Sequence, residues 1–301
     1  MPKVLVVGAS NVDYVALSNN KLIRKDSNIG KLNITFGGVG RNIVENLAIL
    51  EDDVSFITFL GNDSFGKELR KDLESINVKI YSPNKKERTS SYLAVLDSNG
   101  DMDVAICDTE IIDKSTVEDI EPFDDVISEF TSIVLDANIN SKIIDHIFKE
   151  YSDKKILVEA VSANKVKRYE KYLDKIYLFK SNVLEAKHLL NLYDAEPMLL
   201  AKRLMERGVK NVVITDGGKP VIIGENNEVV FVTPKPIEKI ISASGAGDSL
   251  FAGLIHGLIN GASLVESVAF GIKVSQMTLM VEESVNKDIK KIKDLIRKRD
   301  L

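Results

Sequence analysis

Short, branched apolar runs separated by stretches of helical spacing recur along most of the chain, and this alternation constrains the fold more than any other feature. Lys3 to Val7, Val54 to Phe59, Ile133 to Leu135, Ile156 to Glu159, Ile176 to Phe179 and Val212 to Thr215 read as strands buried on both faces of a sheet. Between them, Asn42 to Leu50, Phe65 to Ile76, Ser141 to Tyr151, Leu184 to Leu192 and Met198 to Arg207 repeat apolar residues at helical intervals. Parallel neighbours need a crossover, and helical crossovers are right-handed, so the order predicts βαβ units: an α/β fold with a mostly parallel central sheet flanked by helices. The 301 residues suit one large α/β body or two small domains.

Two segments break the alternation. Arg88 to Ile106 is strand-like on either side of Asp97-Ser98-Asn99-Gly100-Asp101, and Asn-Gly is a strong hairpin signal. Asp13 to Phe36 also reads as extended, with Asn19-Asn20 as its expected turn. These antiparallel pieces do not belong inside a parallel sheet. Residues 13–36 and 88–106 are therefore expected to form a small antiparallel β lid on a body of residues 1–12, 37–87 and 107–301.

Forty Lys and Arg against 45 Asp and Glu give a net charge of −5, so neither nucleic acid nor an anionic membrane is an expected partner, and a phosphate must be held locally. Cys107 is alone, which excludes an intrachain disulfide and places it by expectation in the core of a cytoplasmic protein. No apolar run approaches the ~18 residues of a membrane span, and Val4 to Val7 is too short for a signal peptide's apolar region. The basic tail from Lys287 to Leu301 carries an apolar stripe of Ile289, Ile292, Leu295 and Ile296. Asp288, Asp294 and Asp300 dilute its charge, so a last amphipathic helix docked on the body is expected rather than a membrane-surface helix. His146, His188 and His256 stand at no metal-ligand spacing and read as structural.

The chemistry concentrates in glycine-rich segments. Ser244-Gly245-Ala246-Gly247-Asp248 precedes a helical run from Ser249 to Asn260. Glycines at a helix start let a ligand approach the main chain, and unpaired amides there favour an anion. Asp248 would repel a phosphate unless it takes a proton from an attacking hydroxyl; the alternative is an Asp N-cap after a flexible turn. Gly37-Gly38-Val39-Gly40-Arg41-Asn42 is not a dinucleotide fingerprint, because Ile43 stands at its third glycine, and no Gly-Lys-Ser/Thr marks a P-loop. Gly37 and Gly38 could admit a sugar to the main chain with Asn42 bonding vicinal hydroxyls, or the loop merely opens a helix capped by Asn42. Asn182-Val183-Leu184-Glu185 has the spacing of a capping box; its functional alternative is to hold waters of a phosphate-bound Mg²⁺. Asp136, Asn138 and Thr215 sit at strand ends, where open α/β sheets bind ligands.

Together these segments resemble the ribokinase-like (PfkB) carbohydrate kinases across nearly the whole chain. Gly37 to Asn42 is similar to the N-terminal glycine signature, Asn182 to Glu185 to the N-x-x-E motif, and Gly245 to Asp248 to the C-terminal G-A-G-D. Glu45-Asn46-Leu47-Ala48, Ser91 to Asp97, Leu135 to Asn138 and Val281 to Asn286 bring the likeness nearest to the pseudouridine kinase subgroup. The resemblance implies that Asp13, Gly37, Gly38 and Asn42 bind substrate hydroxyls and that Asp248 deprotonates the 5′-hydroxyl beside an anion hole of Gly245, Ala246 and Gly247. It implies ATP along Asn182, Thr215, Gly217, Gly245, Gly247 and Asn286, and Mg²⁺ reached through water by Asn182 and Glu185. The lid would cover a small sugar or nucleoside and pair with a second subunit's lid in a homodimer. Lys165 matches a segment of the subgroup without an assigned role.

Departures are equally specific. Ser242-Ala243-Ser244 replaces the usual Asp-Thr-x, removing a carboxylate that relatives use near a monovalent cation and leaving K⁺ dependence open. Pro220 stands where a second glycine commonly follows Gly217. The expected reaction is ATP-dependent 5′-phosphorylation of pseudouridine. The alternatives are a kinase for another nucleoside or sugar, such as adenosine, ribose or fructose, and a catalytically silent nucleoside-binding module.

Overall fold

The computed structural model describes residues 3–298. In chain order the strands are β1 (Lys3–Val7), β2 (Asn11–Ser18), β3 (Gly30–Gly37), β4 (Asp53–Ile57), β5 (Lys79–Tyr81), β6 (Ser91–Leu96), β7 (Met102–Asp108), β8 (Ser132–Asp136), β9 (Lys155–Glu159), β10 (Leu178–Asn182), β11 (Asn211–Thr215), β12 (Val221–Glu225) and β13 (Glu228–Val232). The longer helices are α1 (Val39–Ile49), α2 (Ser64–Ser75), α3 (Ser141–Glu150), α4 (Val183–Leu190), α5 (Pro197–Glu206), α6 (Ala246–Ile259) and α7 (Leu264–Thr278). Nine strands form one sheet in the order β13-β12-β11-β10-β9-β8-β1-β4-β5. It is parallel from β11 to β5, and β12 and β13 return antiparallel at the edge.

The short apolar runs explain themselves in this sheet. Alternate residues of a strand face opposite sides, so Val4 and Val6 pack with α1 and α6 while Leu5 and Val7 pack with α3 and the far helices. Each inner strand feeds two cores, which is why its residues are mostly apolar. No helix among the described residues is long and apolar enough to cross a membrane.

A second, four-stranded sheet has the order β3-β2-β6-β7. Its hairpin pairs are antiparallel, but β2 and β6 run parallel. The reason is topological: between β3 and β6 the chain passes through α1, β4, α2 and β5, and it re-enters the small sheet alongside β2 in the same direction. Because this sheet is a single layer, alternation gives it two unlike faces. Asp13, Tyr92 and Cys107 lie opposite one another and share one face. Ile34, Tyr14, Leu93 and Ile106 share the other. Asn11 to Leu17 therefore carries both chemistry and packing on one strand.

Three expectations need correction. Cys107 is exposed on the small sheet rather than buried in the core, because a one-layer sheet has no interior to hold it. Asn19-Asn20 does not close a tight hairpin: Asn19 N–H bonds Ile29 O at 3.0 Å and residues 20–28 form a longer loop. The tail is not one amphipathic helix but a 3₁₀ segment Lys287–Ile292 followed by a short helix Leu295–Lys298, with Arg299 to Leu301 outside the described residues. Its Ile289 and Ile296 are buried against Leu50, Phe270 and Val274, so the segment is docked on the body.

Candidate active site

The mouth of α6 lies between two clefts. The first, of about 360 Å³, is bounded by Asp13, Gly38, Asn42, Gly245 and Asp248. The second, of about 420 Å³, is bounded by Thr215, Gly217, Gly218, Ala246 and Gly247, with apolar walls from Ile237, Ile240 and Leu250. Consecutive residues of one turn thus face different clefts, and a group passing from one to the other must cross the first-turn amides of α6.

Gly245 makes that turn possible. It is the N-cap of α6 at φ 71, and a Cβ on it would stand 2.0 Å from the Ser284 carbonyl oxygen. Both the left-handed backbone and the close approach require glycine. Asp248 is then the third residue inside the helix, so it does not cap the helix through its own side chain. That removes the N-cap reading. Its Oδ2 instead accepts a hydrogen bond from Asn42 Nδ2 at 2.9 Å, at the edge of the first cleft. Burial pushes the Asp248 carboxyl up to about 6, against the pull of Asn42 and of Lys180.

Asn42 and Gly38 reach the first cleft for a structural reason. The buried Asp136 carboxylate accepts from Ala9 N–H at 2.9 Å and Gly40 N–H at 2.8 Å, tying the end of β1 to the start of α1. Gly38 sits at φ 104, and a Cβ there would meet the Ala9 carbonyl oxygen at 2.6 Å. Asn42 lies within α1 and does not cap it, because Gly38 is the N-cap. A Cβ on Gly37 would come within 2.0 Å of an Asp13 carboxylate oxygen, so Gly37 makes room for Asp13. Burial pushes the Asp13 carboxyl up to about 6, opposed by its hydrogen bond from Asn11.

Asn182 and Glu185 form the capping box that their spacing predicts. Asn182 Oδ1 accepts from Glu185 N–H at 2.8 Å, while the Glu185 carboxylate accepts from Asn182 N–H at 2.7 Å and from Nδ2 at 2.9 Å. Each Glu185 oxygen keeps a lone pair, and its charge acts on both Asp248 and Lys180. Neither residue bounds either cleft, and the Glu185 lone pairs are what a water of a hydrated Mg²⁺ could use. Among the described residues no three His, Cys, Asp or Glu side chains form a group that could hold a metal by themselves. Asn286 is committed elsewhere, its Nδ2 donating to Met277 O at 2.6 Å and its Oδ1 accepting from Asp288 N–H at 2.9 Å. His256 is structural, bonded to Asp52 at 2.8 Å.

Sequence reading missed a buried ion pair beneath this mouth. Lys180 Nζ donates to Glu159 Oε1 at 2.9 Å, and it would stand 3.1 Å from a Cβ on Gly247. Burial opposes the Lys180 charge, but Glu159, joined by Glu185 and Asp248, holds its pKa above the ordinary lysine value. The available signal was a lysine at the end of an apolar strand run. Asn11, Ser90 and Tyr92 also bound the first cleft without having been singled out.

Comparison with known proteins shows the family and the fold. The family model for pfkB family carbohydrate kinases matches residues 1–290. The chain is 33% identical to pseudouridine kinase of Escherichia coli strain K12, over 95% of this chain and 93% of that one. It is 24% identical to guanosine-inosine kinase of Exiguobacterium acetylicum, over 94% and 96% of the two chains. The structure of ribokinase from Thermotoga maritima superposes with a TM-score of 0.86 at 20% identity, covering 97% of this chain and 99% of that one.

Proposed function

The chain belongs to the PfkB family of carbohydrate kinases, and we propose that within it the protein transfers the γ-phosphoryl group of ATP to the 5′-hydroxyl of pseudouridine, giving pseudouridine 5′-phosphate and ADP. The observation that carries the kinase mechanism is the division of one helix mouth between two clefts, with Asp248 on one side and Gly247 on the other. The full-length likeness to a pseudouridine kinase supports the substrate.

Asp13, Gly38 and Asn42 would hold the ribose so that its primary hydroxyl faces Asp248. Asp248, fixed through Oδ2 by Asn42, keeps Oδ1 to accept the hydroxyl proton. The amides of Gly245 and Gly247, with that of Ala246 once it leaves the Ala243 carbonyl it reaches at 3.4 Å, would stabilise charge on the transferring group. Thr215 and Gly217 would lie along the nucleotide, whose base suits the apolar wall of the second cleft. Mg²⁺, reached through water by Asn182 and Glu185, would neutralise charge on the phosphates. A homodimer through the outer faces of the two lids completes the reading, supported by exposed Ile34 and Ile106 on one face of that sheet.

The test is an ADP-release screen with ATP and Mg²⁺ over pseudouridine, uridine, adenosine, ribose and fructose, with and without K⁺. Pseudouridine is expected to give the highest kcat/KM. A preference for a bare sugar or a purine nucleoside rejects the substrate, and ligand binding without any ADP release rejects the enzyme.

A further inference from the structure

One wall of the first cleft is left unused by the proposed phosphoryl transfer. It is built by Asn138, which follows β8, and by Val161 and Lys165, which follow β9, whereas the hydroxyl-binding candidates come from β2 and α1 and the base from α6. Lys165 Nζ donates to Asn138 Oδ1 at 2.6 Å. An ammonium has only donors, so the amide atom facing it must be the oxygen. The pair then offers the cleft an unused N–H of the ammonium beside an unused lone pair of the amide oxygen: a donor next to an acceptor.

The wall is held rigidly. Arg168 Nη1 donates to the carbonyls of Ala137, Asn138 and Ile139 at 2.8, 2.9 and 2.8 Å. Asn138 N–H donates to Asp136 Oδ1 at 2.8 Å, and its side-chain amide is also bonded to that buried carboxylate. Val161 adopts φ 64, a left-handed conformation that costs a β-branched residue free energy and persists only where its surroundings impose it. Such strain at a cleft wall, together with the tethered loop, is preorganisation for a ligand group.

We propose that Asn138 and Lys165 form the base-reading subsite of this cleft and recognise a lactam edge, a ring carbonyl adjacent to a ring N–H. The ammonium donates to the carbonyl oxygen and Asn138 Oδ1 accepts from the N–H. Uracil presents that edge on either side of its N3–H, and the carbon-linked isomer presents it again at N1–H. Cytosine has a bare ring nitrogen where uracil has N3–H, so two lone pairs meet at Asn138 Oδ1, and a free sugar has no such edge. The inference rests on reading the cleft as a nucleoside site and adds the class of base that it takes.

The experiment is steady-state ADP release by the wild-type protein, K165M, K165R and N138A, with pseudouridine, uridine and cytidine as acceptors. In the wild type, cytidine is expected to be at least about tenfold poorer in kcat/KM than the better uracil nucleoside, since a site that hydrogen-bonds a substrate group rejects analogues lacking it. K165M is expected to lower kcat/KM for that nucleoside by about 10- to 100-fold through KM, with kcat within about threefold and an unchanged melting temperature. K165R, which keeps the donors, recovers part of the loss, and N138A repeats it independently of any folding defect at Lys165. Unchanged KM in K165M and N138A, a parallel loss of kcat and melting temperature, or equal use of cytidine overturns the subsite while leaving the proposed reaction intact. A wild-type enzyme active on another acceptor but on no uracil nucleoside overturns both.

Discussion

Asn42 and Asp248 are separated by 206 positions in the chain, yet the Asn42 amide donates to Asp248 Oδ2 at 2.9 Å. One carboxylate oxygen is thereby held and the other is left for a hydroxyl, which is the arrangement a positioned base requires. Asp248→Asn is expected to lower kcat by about 10²- to 10⁴-fold, the usual contribution of general-base catalysis. Its melting temperature should remain at or above that of the wild type, because a partly buried charge is removed. Near-normal kcat in the folded variant rejects the base role.

The pH profile follows from the same carboxylate. With Asp248 pushed up to about 6, kcat/KM should fall as pH drops through that value and the base is protonated. For stability the sign is opposite. A carboxyl raised above its ordinary value binds more protons in the folded state between about pH 4 and 6, so its contribution is most favourable at low pH and is lost as pH rises through 6. Asp13, also near 6, contributes in the same sense. The melting-temperature advantage of Asp248→Asn over wild type should therefore be larger at pH 8 than at pH 5; thermal melts at the two pH values decide it.

Gly245→Ala tests the turn. A left-handed backbone costs an L-residue about 1–2 kcal/mol, and the added Cβ would press on the Ser284 carbonyl at 2.0 Å. Displaced amides should lower kcat by at least about tenfold, as loss of an oxyanion donor does. Thermal melts and ADP release measure the two effects separately. An alanine variant with wild-type values for both contradicts the geometry.

The Lys180–Glu159 pair is buried, with a side-chain exposure of 6% and 4%. Removing one partner strands a charge, so Lys180→Met alone should destabilise by about 3–5 kcal/mol. Lys180→Met with Glu159→Gln should cost less than the sum of the single changes. Urea denaturation of the four proteins gives the coupling directly.

On the lid, Ile34 is 48% and Ile106 63% exposed on the face turned away from the Asp13 side. If two lids pair there, Ile34→Asp with Ile106→Asp should convert a dimer to a monomer, as read by light scattering. A wild-type monomer at micromolar concentration rejects the pairing.

Six of the nine central strands were legible because their information is local, whereas the strands toward the sheet's edges, Lys79–Tyr81, Val221–Glu225 and Glu228–Val232, were not read. The inner strands Lys3–Val7, Asp53–Ile57, Ser132–Asp136, Lys155–Glu159 and Asn211–Thr215 carry apolar residues on both faces, and that pattern has one stable use, burial between two helical layers. The Asn182–Glu185 box was legible for the same reason, since both partners lie within one helical turn. Local pattern also misled: a lone cysteine reads as core, and only the one-layer lid puts Cys107 on a surface.

The residue types at the site were set by the sequence, but their relations were decided by tertiary structure. Whether Asp248 caps its own helix depends on where Gly245 turns, and the Ser284 carbonyl of a distant segment leaves room there only for glycine. The Lys180–Glu159 pair joins neighbouring strands whose adjacency no single segment encodes. Hydrogen bonds and desolvation act over a few ångströms in space, so a carboxylate acquires its chemistry only when the fold brings its neighbours together.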